Sequence, residues 1–448
     1  MKIVTRRILV LLLLMLQVSC NDWMELIPPE GLIRQEFWNT KEDVRSVLMG
    51  AYETFSHMDA QLFKYGEIRG DMLKGDDNQS EDERKIMEGN IYPDNYMCNW
   101  SDFYTVIDYC NEVIVNAPKV KEKDHTFTDY QLKGYLAEAH FLRDLAYFYL
   151  VRIFRDVPLV LKPTESDDAD FYPAKTNGDE IIDFLIQDLE SVRDFATVDG
   201  YPTQREIKGR ATKAAFDALL ADISLWRFDY SAVITYTNRI LANNDYIMIP
   251  SNSWFTIYYP GNSVEGIFEF QFNDAQDQKN GMYGMTQENS KNYVASETAL
   301  DLFTKKTRNF LESLRGVGGS IAKRSDKYII WKYVGRNNDG TTTRTGTDQN
   351  SCNFIVYRLA DIYLMKAEAL SQMGDYTNAL DYINFVRAKR QVPDIAFLQE
   401  SPASYEDFIM EERAVELAYE GKRWFDLMRM GRRDDFKRKN KLIQILVN

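Results

Sequence analysis

A chain of 448 residues with 68 acidic and 54 basic side chains, net charge −14, has no bulk electrostatic route to nucleic acid, where affinity rests on cationic contacts. The same acidity disfavours polyanionic glycans as bulk ligands, although a local basic pocket could override it. The length is ample for a large core, so folding does not depend on disulfide staples.

At the start, Lys2, Arg6 and Arg7 precede an apolar run from Ile8 to Leu16. As a helix that run reaches about 14 Å, short of the roughly 20 residues a bilayer core needs. Charged start, short apolar middle and small Ser19 predict a signal peptide over residues 1–19. Cys20 then stands before Asn21 and Asp22 and resembles a bacterial lipobox, in which the thiol is acylated and becomes the mature N-terminus. Gln17 takes the place where Leu is usual, and ordinary secretion is the alternative. A multiply acylated Cys20 would tether the chain to a membrane without spanning it. Cys98, Cys110 and Cys352 remain, an odd number without framework spacing.

Helical periodicity then recurs along the chain. Val44, Val47, Leu48, Ala51 and Phe55 share a face behind a Thr40 N-cap. Phe103 to Ile114 repeats the pattern, and Leu132 to Ile153 makes a longer stripe that Pro158 follows. Ile182, Leu185, Ile186 and Leu189 mark another helix. Two helix–turn–helix units begin at Ala218 and Ile362, each turning at an Asp-Tyr pair (Asp229-Tyr230 and Asp375-Tyr376). Gly374, Tyr376, Ala379 and Leu380 resemble the tetratricopeptide pattern. Such units stack into a superhelix. The fold class is therefore mainly α, a tetratricopeptide-like helix-pair superhelix with a loop-rich face and few short strands, at GIFEFQF and KYIIWKYV.

The loop-rich segments fall near residues 71–101, 250–295 and 316–353, the first read as too polar and acidic for a buried helix. Loops this long are usually functional or disordered, and their aromatic content favours function. Sugar faces present C–H groups, so aromatic platforms beside planar amides or carboxylates are the chemistry to seek. Asp77, Asn78, Tyr92 and Tyr96 offer it in the first segment, Tyr283, Asn292 and Tyr293 in the second, and Trp331 in the third. Trp100 opens an apolar helix and is read as core. The basic cluster from Lys422 to Lys441 reads as a solvated helix end.

Catalytic signatures are weak. Gly261 to Gly266 misses the nucleophile-elbow spacing by one residue, and Gly316 to Gly319 lacks the last glycine of a dinucleotide loop. His57, His125 and His140 are far apart, without metal spacing, and His140 reads as a packing residue. Glu412, Glu416 and Glu420 stack at i, i+4, whereas a glycosidase needs carboxylates on opposite sides of a bond. They read as partners of Arg413 or Arg423. The acidic loop from Gly75 to Glu81 lacks the central glycine of an EF-hand and reads as solvated. No catalytic residue, metal or cofactor is expected.

In order, FWNTKEDVRSVLMGAYETF, GYLAEAHFLRDLAYFYLVRIFRDVPLV, GRATKAAFDALLA, YRLADIYLMKAEAL and IMEERAVELAYEGKRWFDLMRMGR resemble motifs of the SusD/RagB family of surface lipoproteins. Arg155 stands where the family's motif usually has Gly, and members generally continue into a Pro-rich tail, so the C-terminus reads as truncated. The resemblance implies one binding domain over residues 20–448, lipid-anchored at Cys20 (a palmitate-type modification) on the extracellular side of the outer membrane. It also implies a SusC-like TonB-dependent β-barrel partner that receives oligosaccharides, peptides or other nutrients, with no bond broken. A tetratricopeptide-type protein scaffold without a small ligand of its own is the alternative.

Overall fold

The computed structural model describes residues 37–447, apart from 165–171, 198–200, 202, 287–289, 291, 308–312 and 334–350. The signal segment and Cys20 lie outside these residues. Helix α1 (Lys41–Ser56) begins where Thr40 Oγ1 accepts the Asp43 N–H while Asp43 Oδ2 accepts the Thr40 N–H at 2.7 Å, the reciprocal cap that makes Thr40 the boundary. Its Val44, Leu48, Ala51 and Phe55 are buried as their spacing predicts. After α2 (Asp59–Glu67) and strand β1 (Leu73–Gly75) comes a helix that the polar composition hid, α3 (Glu81–Met87). Ser80 caps it reciprocally with Glu83, and only Glu83 and Ile86 are buried, so no apolar stripe announces it.

Helices α4 (Ser101–Lys123) and α5 (Asp129–Phe154) pack against α1. From Ala137 to Arg152 nearly every α5 side chain is buried, which explains its apolar run. It ends at Arg155, whose φ of 67° turns the chain into β2 (Val157–Pro158), paired with β3 (Lys175–Thr176). On α6 (Gly178–Val192), Asp188 accepts from Arg143 at 2.6 Å and lies 2.6 Å from His140 Nδ1, so His140 is a packing residue of the α5–α6 seam.

Beyond α7 (Gln204–Gly209), the first helix pair is α8 (Lys213–Trp226) with α9 (Tyr230–Leu241), and Asp229 caps α9 through the Ala232 N–H at 3.1 Å. Strand β4 (Gly266–Phe270) then leads to α10 (Gly281–Thr286), β5 (Tyr293–Ala295) and α11 (Glu297–Thr307). A hairpin of β6 (Ile321–Arg324) and β7 (Lys327–Ile330) precedes β8 (Phe354–Arg358), which pairs antiparallel with β4; both of these strands are buried throughout. The second helix pair, α12 (Leu359–Gln372) and α13 (Tyr376–Lys389), turns at Gly374, φ 84°, and Asp375 caps α13. Because α9 lies against α12, the two pairs stack, as the tetratricopeptide-like pattern predicts.

Helices α14 (Pro402–Glu416), α15 (Arg423–Phe436) and α16 (Lys439–Val447) complete the described chain. Here the basic cluster differs from expectation. Lys422, Arg423, Arg429 and Arg433 are buried, and their carboxylates arrive from distant segments: Asp361 for Lys422 at 3.0 Å, Asp71 for Arg423 at 2.6 Å, Glu368 for Arg429 at 2.7 Å and Glu406 for Arg433 at 2.6 Å. A charge run is solvated only when nothing of opposite sign folds over it.

A candidate ligand site built from three loops

Strand β1 pairs with β5 in the register Gly75↔Tyr293, and β7 packs beside β5. This sets the three loop-rich segments next to one another. Asn78 Nδ2 donates to the Ser290 carbonyl at 2.9 Å, Asn292 Nδ2 donates to the Asn78 carbonyl at 3.2 Å, and the Asp76 N–H donates to the Asn292 carbonyl at 2.9 Å. Lys327, at the start of β7, forms an ion pair with Asp76 and stands 3.9 Å from the exposed Asp77. The Asp76 hydrogen bond, helped by the charges of Asp76, Asp77 and Asp326, pushes the Lys327 ammonium pKa up. No local pattern marks Lys327, because its role depends on a partner 251 residues away.

Beneath the first loop, Tyr96 donates to Glu83 Oε1 at 2.6 Å, and Lys64 Nζ lies 2.7 Å from the same carboxylate. Burial pushes the Glu83 carboxyl up, but the hydrogen bonds from Lys64 and Tyr96 outweigh it and hold it below its ordinary value. Tyr96 remains 43 % exposed and Tyr92 55 % exposed, so both rings are open to a ligand. Asp77 and Asn78 are exposed as well.

Two expected platforms sit elsewhere. Tyr293 is 1 % exposed and packs with Phe63, and Trp331 is 6 % exposed beneath the Arg324 guanidinium, 4.1 Å from its ring. Both support the loops from inside. Tyr283 lies on α10, and its side chain is outside the described residues. Trp100, read as core, is half-buried and lines a cavity of about 450 Å³ with Tyr104, Asp108, Tyr172 and Lys175. Its polar groups come from α4 itself, at Asp108 and Asn111, and from Thr164, Tyr172 and Lys175 of β3 and the segments before it, which the apolar stripe of α4 does not reveal.

The stacked glutamates are structural. Glu412 pairs with Arg315 and with Arg387 at 2.9 Å, Glu416 with Arg358 at 2.9 Å and Arg390 at 2.8 Å, and Glu420 with Arg358 and Lys332 at 2.7 Å. Their partners are therefore not the Arg413 and Arg423 expected from proximity in sequence; those two pair with Asp361 and Asp426, and with Asp71. Burial pushes the Glu416 carboxyl up, but Arg390, Arg358 and Arg315 hold it well below the usual carboxylate range. A base kept that acidic and sealed from solvent has no substrate to reach. Among the described residues no group of three or more His, Cys, Asp or Glu side chains is arranged to hold a metal ion.

Similarity to known proteins is decisive at family level. The SusD family model matches residues 256–448, and a model described as starch-binding associating with outer membrane matches residues 22–225. The chain belongs to the SusD/RagB family. The SusD-like protein P38 of Formosa agariphila is 25% identical over 92% of this chain and 88% of its own length. A SusD superfamily crystal structure from Bacteroides thetaiotaomicron superposes with a TM-score of 0.75 at 23% identity, covering 91% of this chain and 93% of that one. A laminarin-binding SusD-like protein superposes with a TM-score of 0.73 at 22% identity, covering 92% and 94%. These likenesses fix the SusD fold for this chain, and the family is one of carbohydrate binders associated with the outer membrane.

Proposed function

We propose that the chain is a cell-surface lipoprotein that binds oligosaccharides on the three-loop face and delivers them to a SusC-like TonB-dependent barrel. The observation that carries this reading is the mutual clasp of Asn78, Asn292, Asp76 and Lys327. It fixes the loop that carries exposed Asp77, while Glu83 separately fixes Tyr96 at 2.6 Å, and such preorganisation lowers the ordering cost of binding. Carboxylate and amide groups beside open tyrosine rings suit a neutral glycan, hydroxyls to the former and C–H faces to the latter. Acylation of Cys20 would hold the protein on the outer membrane over its barrel partner. No step in this cycle needs a catalytic residue.

A glycan array probed with residues 21–448 tests the reading, followed by calorimetry of the best oligosaccharide against Tyr92→Ala and Asp77→Ala. Binding that each substitution weakens supports it. A chain that binds no oligosaccharide or peptide yet co-purifies with a barrel would instead support a protein-interaction scaffold built on the helix pairs.

A further inference from the structure

A cavity of about 320 Å³ opens between α1, α7 and the segment that follows β4. Its lining takes residues from Phe270 to Gln278 of the second loop-rich segment but includes none of Asp76, Asp77, Asn78, Tyr92, Tyr96, Asn292 and Lys327. Its floor is committed: Tyr52 donates to Glu138 Oε2 at 2.7 Å, and Arg210 Nη2 donates to Glu138 Oε1 at 2.6 Å. Its rim is not. Arg45 on α1 and Arg205 on α7 both line the space, and among the described residues neither guanidinium makes a hydrogen bond or an ion pair. Two carboxylates share the cavity without pairing directly with them: Glu206 accepts from Thr203 Oγ1 at 2.9 Å, and Glu53 is exposed and bridges to neither arginine.

Guanidinium stays charged at any physiological pH, and its planar fork matches a carboxylate or sulfate. Two such groups left without partners around one concavity can each offer a planar pair of donors to an anion; Glu53 and Glu206 line the same space and offset their charge at longer range, so selectivity there rests on direct contact with the guanidinium forks. The remaining wall is suited to a sugar. Gln271, Gln276 and Gln278 supply carboxamides, and Met49 and Phe272 supply apolar surface. Gln271 is itself fixed, donating to the Glu269 carbonyl at 3.2 Å and accepting from Asn353 at 3.2 Å. The size is that of a small-molecule site, about 300 Å³ or more.

We infer that this cavity is a second, anion-selective saccharide subsite, in which Arg45 and Arg205 bind a carboxylate or sulfate ester and the glutamine carboxamides bind hydroxyls. It is separate from the three-loop face, so the two sites succeed or fail independently.

Calorimetry with four probes tests it on the whole mature chain: a uronate-containing disaccharide, a sulfated disaccharide, their neutral counterpart and inorganic sulfate. The expected result is that at least one charged disaccharide binds about tenfold or more tighter than the neutral one and than sulfate. The double variant Arg45→Gln, Arg205→Gln should lose that binding while keeping the wild-type melting temperature, since neither side chain has a partner to lose. Whichever charged disaccharide binds more tightly identifies carboxylate or sulfate as the natural group. Equal affinity for charged and neutral disaccharides, an unchanged affinity in the double variant, sulfate binding as tightly as the sugars, or no binding of any probe would each overturn the inference. The array-selected glycan should still bind Arg45→Gln, Arg205→Gln, which distinguishes loss of this subsite from loss of the three-loop face.

Discussion

Arg358 grips Glu420 with two bonds, Nε to Oε2 at 2.8 Å and Nη2 to Oε1 at 2.8 Å, where both residues are buried. The same guanidinium reaches Glu265 at 2.8 Å and Glu416 at 2.9 Å, so one side chain from the end of β8 ties β4's approach to the turn after α14. Removing one partner of a buried ion pair costs about 3–5 kcal/mol, because the remaining charges stay unpaired. Arg358→Met is therefore expected to lower the unfolding free energy by about that amount in urea melts. A loss below about 1 kcal/mol would mean that Arg390 and Lys332 redistribute to cover Glu416 and Glu420.

These pairs also set the acid limb of stability. Glu416 and Glu420 are held below their ordinary values by Arg390, Arg358 and Lys332 against the upward push of burial. A depressed folded pKa gives stability that is complete above the unfolded value, about 4.3, and is lost as pH falls through the folded one. The melting temperature should drop steeply below about pH 4, and Arg358→Met should flatten that drop.

Glu67 behaves in the opposite sense. It accepts the Gly421 N–H at 2.8 Å and the Lys422 N–H at 3.1 Å, and burial pushes its carboxyl up to about 8. A raised acid imposes no penalty below the unfolded value of about 4.3, and its full penalty is reached above the folded one. Glu67→Gln keeps an acceptor for both N–H groups and removes the charge. It should raise the melting temperature at pH 9 and leave it unchanged near pH 4, as differential scanning calorimetry would read.

Arg155 closes α5 at φ 67° and ψ −83°, a conformation that favours glycine, and its ion pair with Asp179 at 2.9 Å is solvent-exposed. Strain of this kind is worth about 1–3 kcal/mol, more than an exposed ion pair returns, about 0–1 kcal/mol. Arg155→Gly should stabilise the chain. A lower melting temperature would show that the Asp179 pair outweighs the strain.

Cys20→Ala should release the protein from membranes in cell fractionation while ligand affinity stays as in the wild type. Continued acylation and membrane association of that variant would contradict the lipobox assignment.

Much of the scaffold was legible because its signals are local. Thr40, the α5 stripe and the Asp-Tyr turns of the two helix pairs announce themselves within a few residues. Strand β8 was not, since its fully buried residues run directly into α12 and give no alternation. At the candidate site, Asp77, Asn78 and Asn292 have the side-chain chemistry a sugar needs, and the fold brings them together. Tyr293 and Trp331 have suitable rings too but are buried, because aromatic content alone does not tell which side of a loop a ring takes. Lys327 and the carboxylates that neutralise Lys422 and Arg423 were invisible for a common reason: each pair joins residues far apart in the chain.

Whether the three-loop face holds the glycan can be read by hydrogen–deuterium exchange on residues 21–448 with and without the oligosaccharide that binds best on the array. Binding there predicts slowed exchange at Asp76–Asn78, Tyr92–Tyr96, Asn292–Tyr293 and Lys327, with the helix pairs unaffected. Protection confined to the helix pairs, with these loop amides unchanged, would contradict it.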